Sequence, residues 1–138
     1  MTFEQKTQWA YGFAALITTA AYVVWLAVQL DSTPAADVDY VPALLWTLGA
    51  SFLIHSVGRG MASGARPKNQ VTDERDREVT RRGDALTFVV FSALAAIPLV
   101  LGMLEVDPFW ITNALFIAFA IAAVFGVVVK SVLYAKGA

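Results

Sequence analysis

The chain has no cysteine and only one histidine, His55, in 138 residues. Without cysteine there is no disulfide exchange, thiolate catalysis or Cys-ligated metal centre. A single imidazole also rules out a haem clamped by two histidines of one chain. Charge is missing from long tracts: residues 9–30, 40–58, 85–104 and 109–129 contain no Asp, Glu, Lys or Arg. Ionisable side chains at mid-depth of apolar helices mark ion and proton pathways, and these tracts have none. Basic residues are absent from two of the connections. Only Asp31, Asp37 and Asp39 carry charge between the first two tracts, and only Glu105 and Asp107 between the last two.

What is present is apolar: 58% of the residues are hydrophobic, against roughly 45–50% in soluble domains. The excess gathers into the four tracts. A hydrocarbon layer of ~30 Å takes about 20 helical residues at ~1.5 Å each. In the fourth tract Leu115, Phe116, Ile117, Phe119, Ile121, Val124, Phe125, Val127, Val128 and Val129 each favour insertion by ~0.3–0.6 kcal/mol at the helix centre, roughly 3–6 kcal/mol together. Asn113, near one end, does not reverse that sum. A soluble bundle would need a polar stripe on every helix. The first tract offers only Thr18, Thr19 and Gln29, and the third only Thr87 and Ser92.

The basic residues fix an orientation. Lys6 precedes the first tract. Arg59, Arg66, Lys68, Arg75, Arg77, Arg81 and Arg82 lie between the second and third, and Lys130 and Lys136 follow the fourth. This is the partition of the positive-inside rule. It predicts an all-α fold: a four-transmembrane-helix bundle in one integral membrane domain, spans at about 9–30, 40–58, 85–104 and 109–134, and both termini in the cytoplasm. The cytoplasmic loop 59–84 would carry a charged helical extension before the third span. The first tract is too long for the apolar core of a cleaved signal.

Local signals refine the elements. Thr2 and Gln5 fit a capping box. Trp9 and Tyr11 suit the inner membrane interface, and Tyr22 and Trp25 the outer one. Residues 59–71 read as flexible loop, being rich in Gly60, Ser63, Gly64, Pro67 and Asn69. A helix start follows at Thr72 to Glu74. On that helix Asp73–Arg77 and Glu78–Arg82 pair at i,i+4, each worth ~0.2–0.5 kcal/mol. Gly83 permits either one long helix or a bend, and Pro98 should kink the third span. Asp107 and Pro108 form the cap and first position of the fourth helix.

Three features are candidates for function. The charged segment Asp73, Glu74, Arg75, Asp76, Arg77, Glu78, Arg81 and Arg82 is either a solvated helix end or a docking surface for a cytosolic or membrane protein. Its acids oppose lying flat on an anionic leaflet, although Arg59, Arg66 and Lys68 would each gain about 1 kcal/mol there. Direct nucleic-acid binding is not expected, because acids are mixed in and no aromatics interleave. Ala114, Ala118, Ala122 and Gly126 recur every four residues, a small-residue face for helix packing or an oligomer interface such as a homodimer. His55, one turn from Arg59, is either structural or interfacial, or a functional residue, since a lone histidine can ligate haem or relay protons. The outer acids match no calcium loop, and no metal or cofactor is expected. No cluster of Ser, His and carboxylate groups suggests an enzyme. The smallest multidrug exporters are four-helix proteins of this size marked by a Glu embedded in the first span, and that Glu is missing here.

The run TDERDREVTRRGD, followed at once by an apolar span, resembles small uncharacterised four-helix bacterial inner-membrane proteins. These carry a DERD-type segment before a penultimate span. The likeness is sharpest over 72–86. It implies a multi-pass protein of the inner (plasma) membrane, and a small helix-turn-helix regulator as the candidate cytosolic contact of residues 72–82. The sequence therefore points to a non-enzymatic protein acting by protein–protein contact as regulatory partner, anchor or small subunit. The alternative is an oligomeric small transporter or channel component.

Overall fold

The computed structural model describes residues 3–64 and 74–136, with the side chains of 3–7, 55 and 58–64 excluded. The described residues are helical and contain no strand. The helices are α1 (Phe3–Ser32), α2 (Val41–Gly64), α3 (Glu74–Met103) and α4 (Pro108–Ala135), with a short 3₁₀ turn at Ala35–Asp37 between the first two. Three of them, over Gln8–Ser32, Glu74–Met103 and Pro108–Ala135, are long and apolar enough to cross a membrane. In α2 the apolar part is the shorter Val41–Ile54.

Successive helices run antiparallel. The basic segments gather at one end of the bundle and the acidic turns at the other. α4 is central: α3 and α1 both pack along it, and α2 packs on α1. The seams close where side chains are smallest. A Cβ on Gly12 would meet Val127 Cγ2 at 2.8 Å, and one on Gly126 would meet Thr87 Oγ1 at 3.0 Å. Outward, the surface is greasy. Trp46 is 80% exposed, Phe52 72% and Met103 75%. Water would penalise such a surface at ~25 cal/mol per Å², whereas lipid would not.

The buried centre lies toward the acidic end. Tyr22, which the sequence places toward the outer interface, is buried there beside Leu44 and Phe116, with Trp25, Leu26, Tyr40 and Ala43 packed around them. Its hydroxyl donates to Asn113 Oδ1 at 2.7 Å, while Asn113 Nδ2 donates to the Phe109 carbonyl at 2.8 Å. Asn113 thus gives the hydroxyl of this amphipathic ring a partner inside the bundle. Thr18 and Ser51 hydroxyls meet at 3.1 Å and tie α1 to α2.

Helix boundaries follow the local chemistry, with some departures. The fourth helix starts as expected: Asp107 accepts from the Phe109 N–H at 2.8 Å and Pro108 follows it. Before it, α3 ends in a Schellman-type turn. The Val106 N–H reaches the Leu101 carbonyl and the Glu105 N–H that of Gly102, both at 3.1 Å, with Glu105 at φ 55° where glycine is usual. Residues 59–64, expected as loop, continue α2 to Gly64. Gly60 and Gly64 weaken a helix by about 1 kcal/mol each without ending it, and no proline intervenes before Pro67. α3 runs unbroken through Gly83 and Pro98, so the option of two helices is not taken. Thr2 and Asp73, and with them the expected capping box and the Asp73–Arg77 pair, lie outside the described residues.

Candidate partner-binding ridge and the crevice beside it

Residues Glu74 to Asp84 form the first three turns of α3, before its apolar tract begins. A helix this charged would fray alone; here it is held from one side. Val79 and Gly83, four residues apart and so on one face, are both buried. Val79 is completely inaccessible. Gly83 lies against Lys130, in the last two turns of α4, where Tyr134 is also buried. A Cβ at Gly83 would overlap the Lys130 side chain, so only glycine lets that lysine stem lie against α3. Arg75 Nη2 donates to the Tyr134 carbonyl at 2.9 Å, filling one of the acceptors that a helix C-terminus leaves open. Lys130 Nζ lies 2.6 Å from Asp84 Oδ1.

The opposite face carries the remaining charges. Glu78 is the hub. Arg81 forks onto it, Nε to Oε2 at 2.9 Å and Nη2 to Oε1 at 3.0 Å, and Arg82 Nε reaches Oε1 at 2.5 Å. The expected Glu78–Arg82 pair is therefore present and Arg81 joins it. Glu74 and Arg77 are exposed, and Asp76 is half-buried. Arg75 differs from its neighbours, because its guanidinium is engaged inside the protomer. The two arginines, Arg82 before Arg81, hold the Glu78 carboxyl below the usual carboxylate range. A depressed folded value means that the pairing is complete at pH above the ordinary glutamate range and is lost as pH falls through the lowered value. NMR titration of the Glu78 carboxyl should show its midpoint rising in Arg82→Gln, and rising less in Arg81→Gln. A midpoint unmoved by either change would mean that the three side chains do not pair in solution.

The small-residue face of α4 divides. Ala118 and Ala122 are buried within the protomer, Ala114 and Gly126 are half-buried, and Gly126 abuts Thr87 of α3. This face therefore serves the seams of the chain itself. His55 falls within α2, and its side chain lies outside the described residues. Between α1, α3 and α4, at the basic end, is a crevice of about 230 Å³. Gln8, Asp84, Thr87 and Lys130 form its polar part, and Gly12, Ala15, Ala122 and Ala123 are among its apolar lining. Sequence reasoning missed both this crevice and the Tyr22–Asn113 pair. In the sequence Lys130 is only a topological charge and Asn113 only a minor polar interruption. Among the described residues no group of three or more His, Asp or Glu is placed to hold a metal.

No family model, curated protein or solved structure matches this chain.

Proposed function

We propose that the protein is a four-span protein of the bacterial inner membrane, with both termini and residues 59–84 in the cytoplasm. It acts without catalysis, as a regulatory partner or anchor, by presenting the outer face of the α3 extension to a cytosolic protein. A small helix-turn-helix regulator is the candidate that the DERD-type segment suggests. The observation that carries this reading is the seating of the charged segment on α4 through Arg75 and Gly83, with Val79 buried between them in sequence. A frayed charged tail would lose conformational entropy on binding, whereas a segment already ordered has lost it on folding. Arg77, Glu78, Arg81 and Arg82 then form a mixed-charge face suited to a partner with complementary mixed charge.

The test is crosslinking in native membranes followed by identification of captured proteins. Changing Arg77, Arg81 and Arg82 together to Gln should abolish capture of the cytosolic partner and leave membrane insertion unchanged. Arg75 is kept in that variant because it holds α4. Undiminished capture by the triple variant would remove the contact from this face.

A further inference from the structure

We infer that the crevice at the basic end is a binding site for one zwitterionic aminophospholipid. This rests on the membrane reading above. Asp84 is the last residue before the apolar tract 85–104 and Lys130 the first after 109–129, so their ion pair stands at the depth of lipid headgroups. The pair is not saturated. An ammonium has three donors and a carboxylate about four acceptor sites, and the 2.6 Å contact uses one of each. Lys130 is largely covered, its side chain 16% exposed, which fixes it, while Asp84 is open at 63%. A phosphate beside Lys130 and an ammonium beside Asp84 would extend the pair into a four-charge square with alternating signs.

From that mouth the crevice runs inward. Ala122 lies eight residues from Lys130 along α4, about 12 Å deeper, and the lining there turns to Gly12, Ala15, Ala122 and Ala123. Polarity therefore falls from mouth to floor in the direction in which it falls along a phospholipid. Gly12 and Ala122 close the floor against their neighbours, while the small, accessible Ala15 and Ala123 leave the width that an acyl chain fills. A soluble zwitterion would match the mouth but would leave the apolar floor empty.

Native mass spectrometry of detergent-extracted protein tests this with three probes. Phosphatidylethanolamine has an N–H-bearing ammonium, phosphatidylcholine a quaternary one with no donor, and phosphatidylglycerol no cation. The ethanolamine lipid should be retained about tenfold more strongly than either, the ratio that one charge-assisted hydrogen bond supplies. Asp84→Asn should erase that preference. Ala123→Leu, which leaves the ion pair intact, should lower retention of all three by narrowing the floor. Equal retention of the three lipids by the unmodified protein, or an unchanged preference in Asp84→Asn, would overturn the site while leaving the membrane reading standing. A chain recovered in the soluble fraction without detergent would overturn both.

Discussion

Replacing Val79 with Asp is expected to release the first turns of α3 from α4 while the apolar helices stay assembled. Val79 is fully inaccessible and lies one turn from both Arg75 and Gly83, which meet the last turns of α4. A carboxylate there would be buried where Arg75 and Lys130 are already engaged with the Tyr134 carbonyl and Asp84, and an uncompensated buried charge costs about 3–5 kcal/mol. The chain can avoid that cost by letting the extension swing into water, since local opening needs only the free energy that docks this one segment. The measurement is amide hydrogen exchange over Glu74 to Gly83, which should approach the unprotected rate in Val79→Asp. Val79→Ala removes two carbons at ~0.8 kcal/mol each plus a cavity term, about 1.5–2.5 kcal/mol in all, so its protection should fall by tenfold or more without vanishing. If the ridge reading is right, partner capture should fall in the same order although every charged residue is still present. Full protection in Val79→Asp would mean that the extension does not depend on this contact.

The expectation for Val79 was out of reach of the sequence for a definite reason. Its neighbours from Asp73 to Arg82 are nearly all charged, so periodicity gave a helix but no apolar stripe to say which side was covered. One valine and one glycine four residues apart make up the whole buried face. The glycine is informative only once Lys130 is seen lying against it. By contrast, the long apolar helices were legible because their signal is summed over some twenty residues, and the α4 start because Asp107 and Pro108 act through local geometry alone. The continuation of α2 through residues 59–64 was hidden by glycines, which were read as loop and are here only weak helix formers. The partner of Tyr22 was hidden by distance along the chain: Asn113 is 91 residues away, and no local pattern joins them. The same holds for Asp84 and Lys130, which the sequence assigns to different termini of different helices.

That Tyr22–Asn113 pair carries the other large expected effect. Asn113→Leu leaves the Tyr22 hydroxyl buried without its acceptor, and an unsatisfied buried polar group costs about 1–3 kcal/mol. Tyr22→Phe leaves the Asn113 Oδ1 without its donor. It should cost less, since Asn113 Nδ2 keeps its bond to the Phe109 carbonyl within α4. The double variant Tyr22→Phe/Asn113→Leu removes both polar groups, so its loss should be smaller than the sum of the single losses. The difference, read as a coupling energy, should lie near 0.6 kcal/mol and reach at most ~1.7 kcal/mol, the range for hydrogen bonds between helices in lipid. Unfolding of the reconstituted protein by denaturing detergent, followed through tryptophan fluorescence, gives the three stabilities; Trp25 packs beside the pair and reports on it. The pair joins α1 to α4 across the main seam, among the described residues, between the α1–α2 half and the α3–α4 half. Its loss should therefore loosen the halves from each other before it loosens either hairpin. Strict additivity of the two changes would show that the hydroxyl and the amide do not interact. The register of α1 on α4 would then rest on apolar fit, Gly12 against Val127 and the Tyr22 ring against Phe116.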